Sequence, residues 1–256
     1  MTSDLARRVA AIVADVDAAQ LASIVEAVRD TATDGRTARR VVERRAPAAL
    51  RSELTELFTD DDLQTALAAL EAAVAAVQAV RVKLGITEVV WTGPPTKSLQ
   101  VRPTRAVVLE LIRRARESIT IVTFASHDIA DLIGALDEAR LDRGVTVRAI
   151  VETREDTPRG DGPEAAEALK HLPLAVPVYR WPKEQRGTTG ASMHVKCVIR
   201  DRTEVLISSA NLTSAALDRN MELGLIVDGG TTARIIEQHY DDLIDKRVLV
   251  PVRASG

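Results

Sequence analysis

Over roughly the first 85 residues, Ala, Leu, Val, Glu and Arg recur with a helical period of about 3.6, and strand-like alternation is absent. This pattern predicts an all-helical region. Asp17 and Asp60 stand where N-caps are expected, Thr33-Asp34-Gly35 is a break, and Pro47 fits the first turn of a helix. Asp60 to Lys83 reads as the longest helix, ended by Gly85. TEVVWTGPPTKS then changes the character of the chain, with a short apolar run followed by Gly93-Pro94-Pro95, and a domain boundary is expected near residue 90.

Beyond it the pattern alternates. Pro103 to Ser118 reads as an amphipathic helix, Ile119 to Ala125 as a short buried strand, Asp128 to Arg143 as a helix stopped by Gly144, and Val145 to Glu152 as another buried strand. Strand, helix, strand implies a right-handed crossover and a largely parallel sheet covered by helices. A Gly/Pro-rich segment follows, then a helix at 164–171, a strand around Val176 to Tyr179, and a basic loop, RWPKEQRGTTGAS. Two further strands around residues 195–208, a third at Met221 to Val227 and a C-terminal helix at 231–245 complete an α/β domain, 91–256, behind the helical region, 1–90.

The stretch MHVKCVIRDRTEVLISSANLTS, residues 193–214, concentrates the chemistry. Alternation along a strand sends Val195, Cys197 and Ile199 to the core and His194 and Lys196 to the other face. Asp201 to Glu204 looks like a tight turn. If Arg202 and Thr203 form a two-residue loop, Lys196 faces Ser209 and His194 faces Asn211, about 5 Å apart at Cβ. Lysine supplies charge for a phosphate, and Ser and Asn supply neutral donors. Histidine can attack phosphorus or carry a proton. No carboxylate pair or extra histidine stands nearby in sequence to hold a divalent metal, so the chemistry implied is metal-free phosphoryl transfer with no cofactor. Asp201, at the turn, reads as structural.

Composition narrows the partners. The net charge of −3 argues against a uniformly basic nucleic-acid binder but leaves room for a local basic site. Aromatic residues are 2% of the chain, too few for a base-stacking platform. A single cysteine allows no intramolecular disulfide and fits a cytoplasmic setting. The most apolar window, Ala66 to Val82, carries Glu71, Gln78 and Arg81 and reads as too short and too polar to span a bilayer. No membrane partner is expected.

The motif resembles the signature of the phospholipase D superfamily: His194-Val195-Lys196, four residues, then Asp201; Ser208-Ser209-Ala210-Asn211 in the place of its GSxN; and Asn220-Met221-Glu222 in the place of its NxE. Ser208 departs from the usual glycine. The resemblance covers roughly residues 100–250 and implies a mixed sheet flanked by helices. It implies His194 as the nucleophile of a covalent phosphohistidine, Lys196 and Asn211 on the phosphate with Ser209 assisting, and Glu222 orienting His194. The family's site uses two HxK motifs, and this chain has one, so the resemblance implies a homodimer completing the site. With its helical N-terminal region and VVWTGP junction, the chain is also similar to the phospholipase D-like component of the DISARM anti-phage system, which would add other defence proteins as partners.

Other residues carry two readings. His127, at a strand end, either lines the cleft or belongs to a capped helix start. Arg180, Lys183 and Arg186 are either a solvated loop or a grip on nucleic-acid phosphates, probably DNA, with Trp181 stacking on a base or anchoring the loop. A nuclease is the expectation. The alternatives are a phospholipase and a non-catalytic nucleic-acid-binding or scaffolding subunit.

Overall fold

The computed structural model describes residues 2–14, 16, 18–58, 63–95, 101–124, 126–127, 129–157, 176–187 and 190–252. The chain divides into two compact units, residues 1–82 and 83–256. The division falls before the expected boundary near 90, because Ile86–Thr92 pairs along its whole length with Glu222–Asp228 and so belongs to the second unit's sheet.

The first unit is helical, as its period predicts: α1 Thr2–Ala14, α2 Ala18–Thr31, α3 Gly35–Arg45, α4 Ala48–Leu57 and α5 Leu63–Leu84. Ile12, Leu21, Ile24, Val28, Leu54, Phe58 and Leu70 form its buried core. Asp34 caps α3, accepting the Thr37 amide at 2.7 Å, and Thr37 Oγ1 answers the Asp34 amide. The expected caps at Asp17 and Asp60 lie outside the described residues. The 22-residue α5 contains an 18-residue window of mean hydropathy 1.5, so by length and composition alone it is long and apolar enough to cross a membrane, against the expectation of a segment too short and too polar. Leu63, Ala66, Leu67, Leu70 and Val74 of that helix are buried in the first unit's core.

The second unit is built on a sheet whose strands, among the described residues, run β11-β6-β5-β3-β7-β8-β10-β1-β2. These are β1 Ile86–Thr92, β2 Arg102–Pro103, β3 Ser118–Thr123, β5 Thr146–Val151, β6 Val178–Arg180, β7 Cys197–Arg200, β8 Glu204–Ser208, β10 Glu222–Asp228 and β11 Val250–Pro251. A two-stranded sheet pairs β4 (Ser126–His127) with β9 (Leu212–Thr213). The sheet is mixed rather than largely parallel. Strands β3, β5 and β6 are parallel, as the strand–helix–strand pattern implies, while β7, β8, β10 and β1 join by antiparallel pairs, of which β7–β8 is closed by a short turn. The expected helix at 164–171 lies outside the described residues.

Alternation distributes the strands' side chains to two cores. Val198, Leu206 and Ile226 pack with α6 (Thr104–Arg114) and α7 (Ala130–Arg143), which Gly144 ends at φ 70°. Cys197, Ile199 and Val205, the alternate positions, pack with the C-terminal helix Thr232–Asp245. Burial pushes the Cys197 thiol up to about 12, and its sulfur lies 3.8 Å from the Tyr240 hydroxyl, so it is a core thiol.

The β7–β8 turn has three residues rather than two. Arg200 pairs with Glu204 across Asp201, Arg202 and Thr203, and Asp201 and Arg202 take φ of 50° and 57°. The Asp201 carboxylate explains why the chain accepts this backbone. It accepts the amides of Glu117 at 2.8 Å, Ser118 at 2.9 Å and Arg116 at 3.1 Å, closing the start of β3. Burial opposes its charge, but the Ser118, Glu117 and Arg116 amides and Arg200 outweigh it and hold the carboxyl below its ordinary range.

Replacing Asp201 by Ala leaves these amides unanswered, and we expect a loss of about 1–3 kcal/mol in urea unfolding at neutral pH. Because the folded carboxyl titrates below its unfolded value, that contribution is present above the unfolded pKa of about 3.9 and disappears as pH falls through the folded one. The wild-type and Asp201→Ala unfolding curves should therefore converge in acid; a gap unchanged down to that range would contradict the assignment.

Candidate active site

The three-residue turn shifts the expected register by one. Lys196 lies opposite Ser208, whose amide donates to the Lys196 carbonyl at 3.2 Å, so Lys196 does not face Ser209 as a two-residue loop would require. Ser208, where the signature has glycine, uses its hydroxyl to accept the Ala210 amide at 3.0 Å, fixing the bend that carries Ser209 and Asn211.

His194 is exposed at the entrance to β7. Its ring packs against Phe124 at 5.1 Å between centroids, and the Lys196 ammonium lies 5.5 Å from the same Phe124 ring. Lys196 is 7% exposed and donates to the His194 carbonyl at 2.7 Å. Burial lowers its pKa from the usual lysine value, against the opposing pull of Glu222. A partly desolvated ammonium, held to a single protein acceptor, keeps donors for an incoming anion.

Glu222 accepts the Ser209 hydroxyl and, at 3.2 Å, the Asn220 amide nitrogen. The expectation that Glu222 orients His194 is not what the described contacts show. The one-residue shift turns Ser209 onto Glu222, and the Ser209 oxygen also accepts the Leu223 amide at 3.2 Å. The buried Asn211 Oδ1 has no hydrogen-bond partner. Rotating that amide by half a turn puts an N–H there, the group a phosphate oxygen requires. Strand β4 pairs His127 with Thr213, two residues from Asn211, which brings the His127 backbone to the site's border.

The basic loop is organised differently from a phosphate grip. Arg180 is bound to buried Asp156 at 2.6 and 2.8 Å, and Asp156 also accepts the Lys183 amide at 3.0 Å. Burial disfavours the Asp156 charge, but Thr153, Arg180 and the Lys183 amide hold its carboxyl below the ordinary range. Arg186 is buried beneath the loop and stacks over Trp181, 4.9 Å from the ring centroid, so Trp181 anchors the loop. Of the loop's three expected phosphate contacts, the Lys183 side chain is the exposed one.

Glu152, which sequence reasoning took as the last residue of a strand, is the residue it missed. Its side chain is fully buried with Arg186 at 2.9 Å, and its second oxygen accepts the Met193 amide at 2.6 Å, one residue before His194. Arg186 also donates to the carbonyls of Trp181, Asp156 and Ala191. The clue in the sequence was an acid ending an otherwise apolar buried strand.

A family model described as "Cardiolipin synthase, PLD-like domain" matches residues 108–244, more than half of the chain. The chain belongs to the phospholipase D superfamily. The match spans His194, Lys196, Asp201, Ser209, Asn211 and Glu222, and it makes the protein a member of a family of phosphodiesterases. The DISARM protein DrmC of Bacillus paralicheniformis is 28% identical over 145 residues, covering 56% of this chain and 57% of that protein. Two crystal-structure folds are similar: the phospholipase D family member Nuc from Salmonella typhimurium (TM-score 0.50, 21% identity, 66% of this chain and 99% of that one), and NucT from Helicobacter pylori (TM-score 0.50, 20% identity, 65% and 100%). At those identities the likeness shows the fold.

In this phospholipase D-like unit the Glu152–Arg186 pair gives a separable test. Glu152→Gln or Arg186→Met leaves one buried charge unanswered and should cost about 3–5 kcal/mol. The pair Glu152→Leu with Arg186→Met should recover much of that in thermal melts. It should not recover phosphodiesterase activity, because the Met193 amide still lacks its acceptor; full activity in the double variant would show that the pair only holds the fold.

Lys196 gives a pH test. Burial lowers its pKa, so if its charged form is the expected phosphate ligand, activity should fall on the alkaline side at lower pH than an exposed lysine would dictate. Lys196→Arg, which keeps its charge, should move that limb upward even at reduced rate; a limb that does not move would assign it to another group.

Proposed function

We propose that the protein is a metal-independent nuclease of bacterial anti-phage defence, acting through a phosphohistidine on His194 in a site shared by two copies of the chain. The carrying observation is the exposed His194 ring and the buried Lys196 ammonium against one Phe124 ring, with Glu222, bound to Ser209, near enough to pull on the Lys196 charge. In this reading a ring nitrogen of His194 attacks phosphorus and the ester oxygen leaves with a proton. Water then attacks the phosphohistidine, breaking the P–N bond. Lys196 and Asn211 bind the two non-bridging oxygens, and Glu222, which accepts the Ser209 hydroxyl, holds the Ser209 strand end beside them.

One histidine cannot be nucleophile and leaving-group acid in the same step, so the second copy's His194 supplies the acid. The sheet supports this. Val89, Leu225 and Ile207 lie side by side across β1, β10 and β8 and are 46%, 43% and 43% exposed. Val195 and Leu223, chain neighbours of His194 and Glu222, extend this apolar strip. The likeness to DrmC supports the defence setting, with other defence proteins as partners; the single cysteine fits a cytoplasmic location. The substrate in this reading is nucleic acid, DNA first, rather than phospholipid.

The test incubates the protein with labelled single-stranded DNA, duplex DNA, RNA and phospholipid in excess EDTA. Cleavage of a nucleic acid, abolished by His194→Ala and accompanied by an acid-labile phosphoprotein, is the expected result. Cleavage of the lipid alone would make it a phospholipase; none by a dimeric protein would leave a binding subunit. Leu225→Asp with Ile207→Asp should yield folded monomers at least a hundredfold less active, measured by light scattering and turnover; active monomers would end the shared-site reading.

A further inference from the structure

We propose that α3 of the helical unit is a docking surface for the phosphate backbone of nucleic acid. Arg36, Arg39, Arg40, Arg44 and Arg45 are all exposed on this 11-residue helix, whose one acid is Glu43. Gly35, Ala38 and Val42 bury the opposite face. Arg36, Arg40 and Arg44 follow one another at four-residue intervals, about 6 Å apart along the axis, and form a ridge. The fixed charges of a nucleic-acid strand repeat at about 3.4 Å along its axis, so such a ridge meets phosphates along its whole length.

Helix stability does not account for the ridge. Arg44 and Arg45 sit in the last turn, where the helix dipole favours cations, but Arg36 sits in the first turn, where it is disfavoured. The spacing also sets like charges one turn apart, which weakens a helix. The N-terminus of α3 is already occupied by the Asp34 carboxylate, so an anion would meet the side of the helix and not its end. On the neighbouring helix α2, Glu26 and Asp30 are held by Arg29 at 3.7 and 3.2 Å. In the second unit three sheet and loop arginines are committed, Arg148 to Glu237 and Asp241, Arg180 to Asp156 and Arg186 to Glu152. On α3, in a chain of net charge −3, five exposed arginines share one short helix with a single acid. An acidic protein surface is the other polyanion. The regular ridge favours a partner with regularly repeating charge.

The test measures binding of labelled duplex and single-stranded DNA by the full chain carrying His194→Ala, across a series of salt concentrations. Each phosphate contact contributes about 0.9 to the slope of log affinity against log salt on duplex DNA. Arg36→Gln with Arg40→Gln and Arg44→Gln should lower the slope by about 2.7, three contacts' worth. The corresponding Lys triple should keep it, and Glu43→Lys should raise it by about 0.9. Glutamine is a good helix former and removes the repulsion, so the Gln triple should melt no lower than the parent. An unchanged slope in a folded Gln triple overturns the proposal. So does displacement of DNA by polyglutamate at equal charge concentration, which would assign the ridge to acidic proteins.

With His194 intact, hydrolysis of bis(p-nitrophenyl) phosphate by the Gln triple should match the parent, because so small a diester needs no docking surface. A parent that hydrolyses no diester yet shows the slope change would end the enzyme reading and leave the docking surface standing.

Discussion

The site depends on a buried ion pair that touches no substrate. Glu152 and Arg186 are both removed from water, where an uncompensated charge is costly, and each is repaid only because every neighbour answers it. Arg186 spends its donors on Glu152 and on three backbone carbonyls from different parts of the loop, and Glu152 spends its second oxygen on the Met193 amide. This arrangement is specific in a way apolar packing is not. A leucine pair fills the same volume in many chain registers; a guanidinium with fixed donor directions accepts one. The end of β5, the basic loop and the entrance to β7 are thereby locked to each other, and His194 follows one residue later.

The other constraint is a slip of one residue. In a sheet a one-residue change of register sends every side chain to the opposite face. The Asp201–Arg202–Thr203 turn takes two consecutive left-handed residues, Asp201 and Arg202, and spans three residues where two were expected. Asp201 offsets that backbone strain by closing the start of β3. The turn thus decides that Ser208 meets Lys196 and that Ser209 turns to Glu222. The signature aspartate helps set the register of the strands that carry the candidate site.

Periodicity made most of the elements readable, because amphipathic helices and buried strands write their pattern into neighbouring residues. The pattern at Ile119 to Ala125 and Val145 to Glu152 matched β3 and β5 because both strands are buried on two faces. The antiparallel half of the sheet was harder, since strand direction depends on connections and not on side-chain pattern. The motif's residue types and spacings made His194, Lys196 and Asn211 readable as one site. What escaped was pairing across sequence distance. Arg180 looked free because Asp156 lies 24 residues earlier, and Arg186 looked solvated because Glu152 lies 34 residues earlier. Charge in a loop says nothing of whether a buried partner is waiting. The segment before residue 90 was misplaced for a related reason: TEVVWT reads as a strand, but its partner strand β10 is more than a hundred residues away.

The same chain that answers its buried charges so fully leaves two things open on one side of the sheet. The C-terminal helix covers Cys197, Ile199 and Val205 but not Ile207, Leu225 and Val89, which continue the same face outward. His194 stands exposed where that uncovered face begins, beside Val195. An apolar strip in water is an unfavourable ending for a strand row, and a lone histidine is an incomplete acid–base pair. Val195, Ile207 and Leu223 are chain neighbours of His194, Ser208 and Glu222, so the strip and the site lie one residue apart along the backbone. In the proposed dimer a second copy would meet both needs, presenting the matching strip and a second imidazole through one two-fold contact. An unrelated partner could cover the strip but would have to bring its own proton donor to the same place. Economy of surface and economy of chemistry thus favour the same occupant.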